Sequence, residues 1–190
     1  MSLNTWQERL MSHRGDGTAL TAAAAASLLQ GTTATRAKYT FPANFFEVNK
    51  SILVRATGRI SCAVTTPGTA RFDIRLGGTV VWDSLAINLN IVAKTNVHWA
   101  LTAELFCQAA GDSTTATLFP GRCSWESEAV IASPLPTVGG SGEVLLPYNT
   151  APAVGAGFSS IVSQQFDLFF TQTVATGSIT LHTLNIDALN

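Results

Sequence analysis

The sequence predicts an all-β fold, and three observations carry that prediction. Apolar residues recur at every second position over several long stretches, which is the period of a half-buried strand. Turn residues (Gly, Pro, Asn and Asp) punctuate those stretches, and no amphipathic helical period is sustained anywhere. The chain's 190 residues suit one domain, whose core needs neither disulfide nor metal to form.

The first clear strand is Ile52–Val64, in which Ile52, Val54, Ala56, Ile60, Cys62 and Val64 share one face and Arg55, Thr57, Arg59 and Ser61 the other. Thr66-Pro67-Gly68 ends it as a turn, with proline presetting φ and glycine permitting a positive one. Arg71–Leu76 alternates again, and Gly77-Gly78 connects it to Thr79–Asp83 as a two-residue hairpin. Asn96–Gln108 places Val97, Trp99, Leu101, Ala103, Leu105 and Cys107 on one side. A threonine-rich strand from Thr114 to Phe119 is expected to break at Pro120-Gly121 and resume over Arg122–Ile131. Gln165–Val174 puts Phe166, Leu168 and Phe170 together, and Thr176-Gly177 turns the chain into Ser178–Ala188. Strands of this length and spacing indicate a sandwich or a barrel.

Two regions lie outside this rhythm. Residues 1–20 have no sustained period and read as an extended N-terminal arm, leaving 21–190 as the single β domain. The arm's apolar residues Trp6, Leu10 and Met11 suit docking on a neighbour. Residues 132–160 form a long loop with Pro134, Pro136, Pro147 and Pro152 and the cluster Gly139-Gly140-Ser141-Gly142; loops of that length are usually functional or disordered. The run Ala22–Ala26 has high helix propensity but is too short to hold a helix alone.

Composition narrows the function. Charged residues are only 12% of the chain against 46% hydrophobic, and the net charge is −1. Charge normally keeps a free monomer soluble, so such a surface fits a secreted or thermostable domain or one covered by copies of itself or a larger assembly; the last is the reading adopted. With basic residues spread singly, phosphate neutralisation has little to work with, and nucleic-acid binding is not expected. No stretch of 18 apolar residues exists, and residues 1–17 lack the apolar core of a signal peptide, so a soluble chain made in a cytoplasm is expected.

The chemistry-bearing residues form no recognisable site. Cys62, Cys107 and Cys123 lack metal-ligand spacing, and Cys62 and Cys107 fall on apolar faces as core hydrophobes. His13, His98 and His182 stand apart from one another and from Cys or Asp at ligand spacing. Glu126 and Glu128 share a strand face and could only in principle serve glycosidase chemistry, which needs two carboxyls across a cleft. Arg14-Gly15-Asp16 is an adhesion tripeptide that short sequences produce by chance. Trp82, Trp99 and Trp125 could stack sugars, although core packing is their commoner use in a sandwich. No catalytic residue, cofactor or metal is expected.

Several segments, taken in order, carry a resemblance. They are Gly15–Leu20, Ala37–Phe46, Gly58–Ser61, Val64–Thr69, Phe72–Arg75 with Val80-Val81, Ala151–Phe158 and the ending Ala188–Asn190. Together they resemble small virion proteins of tailed bacteriophages. The resemblance implies a jelly-roll-like antiparallel β-sandwich on the particle, commonly a capsid decoration (cement) protein and often a trimer. Its partners would be the major capsid protein and further copies of itself, and its location the capsid surface. The run Ala22–Ala26 and the stretch Trp6–Arg14 depart from the pattern, in the part expected to touch partners.

On this reading the capsid contacts are expected at Trp6, Leu10 and Met11 and around Pro134, Pro136 and Pro147. The seam between copies is expected at Phe106 and Phe169, which lie opposite the main apolar stripes. The rival reading is a tail-fibre or receptor-binding head that recognises a bacterial surface glycan, for which Trp82 or Trp125 must face solvent.

Overall fold

The computed structural model describes residues 6–30, 38–62, 68–130, 142–175 and 177–189. Twelve strands account for the regular structure: β1 (Gln7–Arg14), β2 (Ala26–Ser27), β3 (Thr40–Phe41), β4 (Ser51–Cys62), β5 (Thr69–Leu76), β6 (Thr79–Asp83), β7 (Ile87–Asn88), β8 (Lys94–Ala109), β9 (Thr117–Ser127), β10 (Gly142–Leu146), β11 (Gln164–Gln172) and β12 (Ser178–Leu189). They form two antiparallel sheets, ordered β1-β12-β4-β8-β9-β10 and β2-β11-β5-β6, with β3 added on β11 and β7 on β5. Without β9 and β10, the orders 1-12-4-8 and 2-11-5-6 are two interleaved four-stranded sheets whose chain passes repeatedly from one to the other. That is the double Greek key of a jelly roll, and the hairpin partners β9 and β10 widen one of its sheets to six strands.

The alternation seen in the sequence is the alternation of the core. In β4, Ile52, Val54, Ala56, Ile60 and Cys62 are buried; they face Phe72, Ile74 and Leu76 of β5 and Phe166, Leu168 and Phe170 of β11 in one continuous apolar cluster. Phe72 sits at its centre, with ring centroids 5.6 Å from Trp99, 5.2 Å from Trp125 and 5.2 Å from Phe170. Gly58 is required there, because a Cβ would lie 1.9 Å from the Thr180 carbonyl oxygen and against the Trp99 indole. At the β5–β6 turn, Gly77 and Gly78 have φ of +56° and +93°, the two positive values that a type I′ hairpin demands.

Two sequence expectations are revised, and a segment left open takes a definite form. Pro120-Gly121 does not break a strand: β9 runs through it. Leu105 pairs with Pro120 but Ala103 with Cys123, so Gly121 and Arg122 together oppose Glu104 in a β-bulge. A bulge is one of the few places where a sheet tolerates proline's missing N–H. The arm is also not free, since Gln7–Arg14 pairs antiparallel with β12 along its length, buries His13 and packs Leu10 and Met11 against the core. The alanine run forms no helix; positions 22–25 are exposed bends and Ala26 enters β2.

Candidate functional site

Among the described residues, the chain around the long loop presents exposed apolar surface. Pro134 and Pro136 lie outside the described residues; Pro147, by contrast, begins a strap that runs back across the side of the sandwich. Tyr148 N–H donates to the Ser84 carbonyl (2.8 Å), Gly155 N–H to Leu118 (3.4 Å), Ala156 N–H to Val80 (3.1 Å), and Phe158 exchanges both backbone bonds with Ala116. The strap thereby stitches β6, at the edge of the four-stranded sheet, to the start of β9 in the other. Two glycines let it lie this close. A Cβ on Gly155 would sit 1.9 Å from the Val81 carbonyl oxygen, and one on Gly157 1.9 Å from that of Thr114.

Because the strap touches down at these points, the stretch between them stands proud and frames a groove. One compartment, about 230 Å³, lies between Trp82, Leu85 and Pro120 on the wall and Ala151, Ala153 and Val154 on the strap. A second, about 610 Å³, lies over the β9 bulge and β10, lined by Gly121, Arg122, Cys123, Leu145, Leu146 and Pro152. Pro147 and Thr150 belong to both, so the two compartments adjoin. The groove is open and mainly aliphatic. Leu145 is 69% exposed, Val154 43% and Leu85 39%. The patch continues onto the outer face of the six-stranded sheet through the bulge: a Cβ on Gly121 would meet the Phe106 ring at 2.5 Å, and Phe106 pairs with the equally exposed Phe119.

Charge is sparse around it. Arg122 and Glu143 form an exposed ion pair (3.5 Å) at the rim. Burial pushes the Cys123 thiol up to about 12, so it is a protonated, apolar part of the wall and not a nucleophile.

The other expected site residues fall elsewhere. Trp6 is 46% exposed beside β1, at the opposite edge of the same sheet from the groove. Phe169 is half-buried on the outer face of the four-stranded sheet, with the Arg75 guanidinium 3.7 Å from its ring centroid, so its face is already covered. Trp82, Trp99 and Trp125 are all within the core, which removes Trp82 and Trp125 as sugar-stacking platforms. Glu126 points outward from β9, while Glu128 lies past the strand end in a turn and pairs with Lys94 at 3.4 Å. The carboxylate of Asp16, from the adhesion tripeptide, is engaged by Arg59 (2.7 Å) and lies 3.4 Å from His182. Among the described residues no three His, Cys, Asp or Glu side chains gather as a metal site would require.

Sequence reasoning named Phe106 for the seam between copies and Pro147 for the capsid contact; the structure places both beside Leu85, Phe119, Leu145 and Val154, which that reasoning did not single out. Leu145 had a signal, as the exposed member of a short alternating run; the others become neighbours only through the strap.

No family model matches the chain, and no curated protein matches it. Among solved structures it is similar to the CBM2 module of the evolved Dit of Lactobacillus casei BL23 phage J-1, with 12% sequence identity and a TM-score of 0.40 over 99% of this chain and 98% of that one. At that level of likeness the fold assignment rests on the strand order described above.

Proposed function

We propose that the protein is a structural component of a bacteriophage virion, and specifically a capsid decoration protein that binds the outer surface of the major capsid shell and stabilises the head without catalysis. The observation that carries this reading is the continuous apolar surface from Phe106 and Phe119 over the bulge to Leu145, Pro147 and Val154. Exposed apolar patches of this kind, rimmed by polar residues, mark protein–protein contacts. The low charge of the whole chain and the ordered resemblance of its segments to small phage virion proteins support the same reading. Binding of this type rests on shape and apolar area, with a few anchors carrying most of the energy. Phe106 and Leu145 are the anchors we assign.

Assembly as a trimer about the local symmetry axes follows the resemblance, and closed symmetry is the default for such oligomers. The test is cryo-EM of intact particles beside particles lacking the protein. Density at regular positions across the icosahedral shell, absent from the deletion, is the expected result. Density confined to the tail or fibres overturns the decoration role.

A further inference from the structure

The outer face of the four-stranded sheet carries a second depression, chemically unlike the groove and lined by other residues. It measures about 260 Å³ and lies between β11 and the β5–β6 turn, around Lys38, Arg75, Gln165, Asp167 and Phe169. Two features separate it from an ordinary solvated surface. First, its carboxylates are anchored. Asp167 is only 7% exposed, accepts a hydrogen bond from the Ser27 hydroxyl (2.5 Å) and pairs with Lys38. Asp73, 3% exposed, holds Arg75 through Nε (2.5 Å) and Nη2 (3.3 Å). Second, the Arg75 guanidinium lies over the Phe169 ring, 3.7 Å from its centroid, while Asp73 holds it by two hydrogen bonds, so its position is fixed. At the rim, Gly78 has open space where a Cβ would stand, leaving bare backbone.

We infer that this depression binds a single neutral sugar residue of a glycan. Each cation is already balanced by a buried carboxylate, so the site has donors and acceptors in alternation and no surplus charge to favour an anion. Vicinal hydroxyls, each both donor and acceptor, match that alternation. The stacked guanidinium offers a flat face, and side chains locked in place lose little freedom on binding. The volume falls below the roughly 300–1,000 Å³ of sites for drug-sized ligands, which limits the occupant to about one ring. The inference is independent of the decoration role, since it uses other residues and another partner.

The test is ligand-observed saturation-transfer NMR on the full chain with a panel of neutral monosaccharides, beside glucuronic acid and inorganic phosphate. Transfer to at least one neutral sugar is expected. Lys38→Met, which leaves Asp167 its Ser27 partner, is expected to weaken that affinity tenfold or more. Arg75→Lys keeps the charge but not the plane, and is expected to weaken it severalfold. Both variants should retain the wild-type amide spectrum. Absence of transfer from every neutral sugar, or binding of glucuronic acid or phosphate alone, overturns the inference. So does neutral-sugar binding that survives both substitutions in folded protein.

Discussion

Along β1 the six-stranded sheet ends in a polar edge tied down by its own chain; along β10 it ends in aliphatic side chains that no described residue covers. On the first side, Asp187 of β12 is 1% exposed and receives both Arg9 from β1 and Arg55 from β4, at 2.9 Å for the latter. Arg9 Nη1 also donates to Asn185 at 2.8 Å. On the second side Leu145 stands 69% exposed next to the strap groove. The contrast shows how a chain poor in charge spends its few ions. They fasten strands to one another, as Arg71 of β5 does to Asp83 of β6, whereas the apolar end carries the exposed Arg122–Glu143 pair at its rim. The apolar surface left exposed inside that rim is where a partner belongs.

The sharpest way to break the comparison is to attack the strap, because the groove exists only if the strap is a fixed wall. Gly155→Val drives a branched side chain into the Val81 carbonyl, an atom that cannot move without β6. We expect a loss of about 3 kcal/mol or more in urea unfolding, at the upper end of overpacking costs. A loss below about 1 kcal/mol would mean that the strap lifts away easily and that the groove is not a feature of the folded state.

A smaller effect tests the polar edge. Asp187→Asn removes the negative charge and one of the two oxygens that hold the guanidiniums, each nearly half exposed, so the cost is discounted for solvent to about 1–2 kcal/mol. The pH dependence gives the sign. Burial pushes the Asp187 carboxyl upward, but the hydrogen bonds and charges of Arg9 and Arg55 outweigh it and leave the folded value below the ordinary 3.8. Its contribution is therefore complete above 3.8 and fades as pH falls through the lower folded value. Wild type and Asp187→Asn should differ in stability at neutral pH and converge in strong acid. A difference that persists unchanged at the acid end would show that the clasp does not act through charge.

The two edges also mark how far the sequence could be read. Strands β4, β5, β8, β11 and β12 were legible because the facing sheet buries one face of each, so their apolar residues alternate, with one change of phase at the β12 bulge between Leu181 and Leu184. β1 was not, because it is paired on one side only and at its outer end its side chains face solvent on both faces. Its burial reads eeeiieBe, and its partner lies more than 160 residues away. Leu10 and Met11 looked like docking residues for the same reason: a local reading cannot see that β12 returns to the core beside them. Pro120-Gly121 was read by its local chemistry as a break, whereas the bulge opposite Glu104 absorbs it. The groove was half visible. Phe106 and Pro147 stood out as an outward aromatic and a loop proline, but residues 82–85, 120–123 and 145–155 share no period, and only the pinch at Gly155 brings them together.

The smallest expected effect on stability is the one that most sharpens the comparison. Leu145→Ser with Val154→Ser replaces two exposed aliphatic side chains, one in each compartment of the groove. Neither is in the core, and exposed substitutions of this kind usually shift stability by no more than about 0.5 kcal/mol each. If the groove is the contact surface, the double variant should fold as the parent does yet bind particles lacking the protein at least tenfold more weakly, a change of about 1.4 kcal/mol. The matching change on the other edge, Gln7→Ser with Glu8→Ser, should leave particle binding unaltered, because those polar side chains stand on the edge strand farthest from β10 and the groove. Equal losses from both pairs would mean that the two edges act together, as they would if the sheet were continued from one copy to the next. A loss from the β1 pair alone would move the contact to the N-terminal edge and leave the apolar groove without a role in attachment.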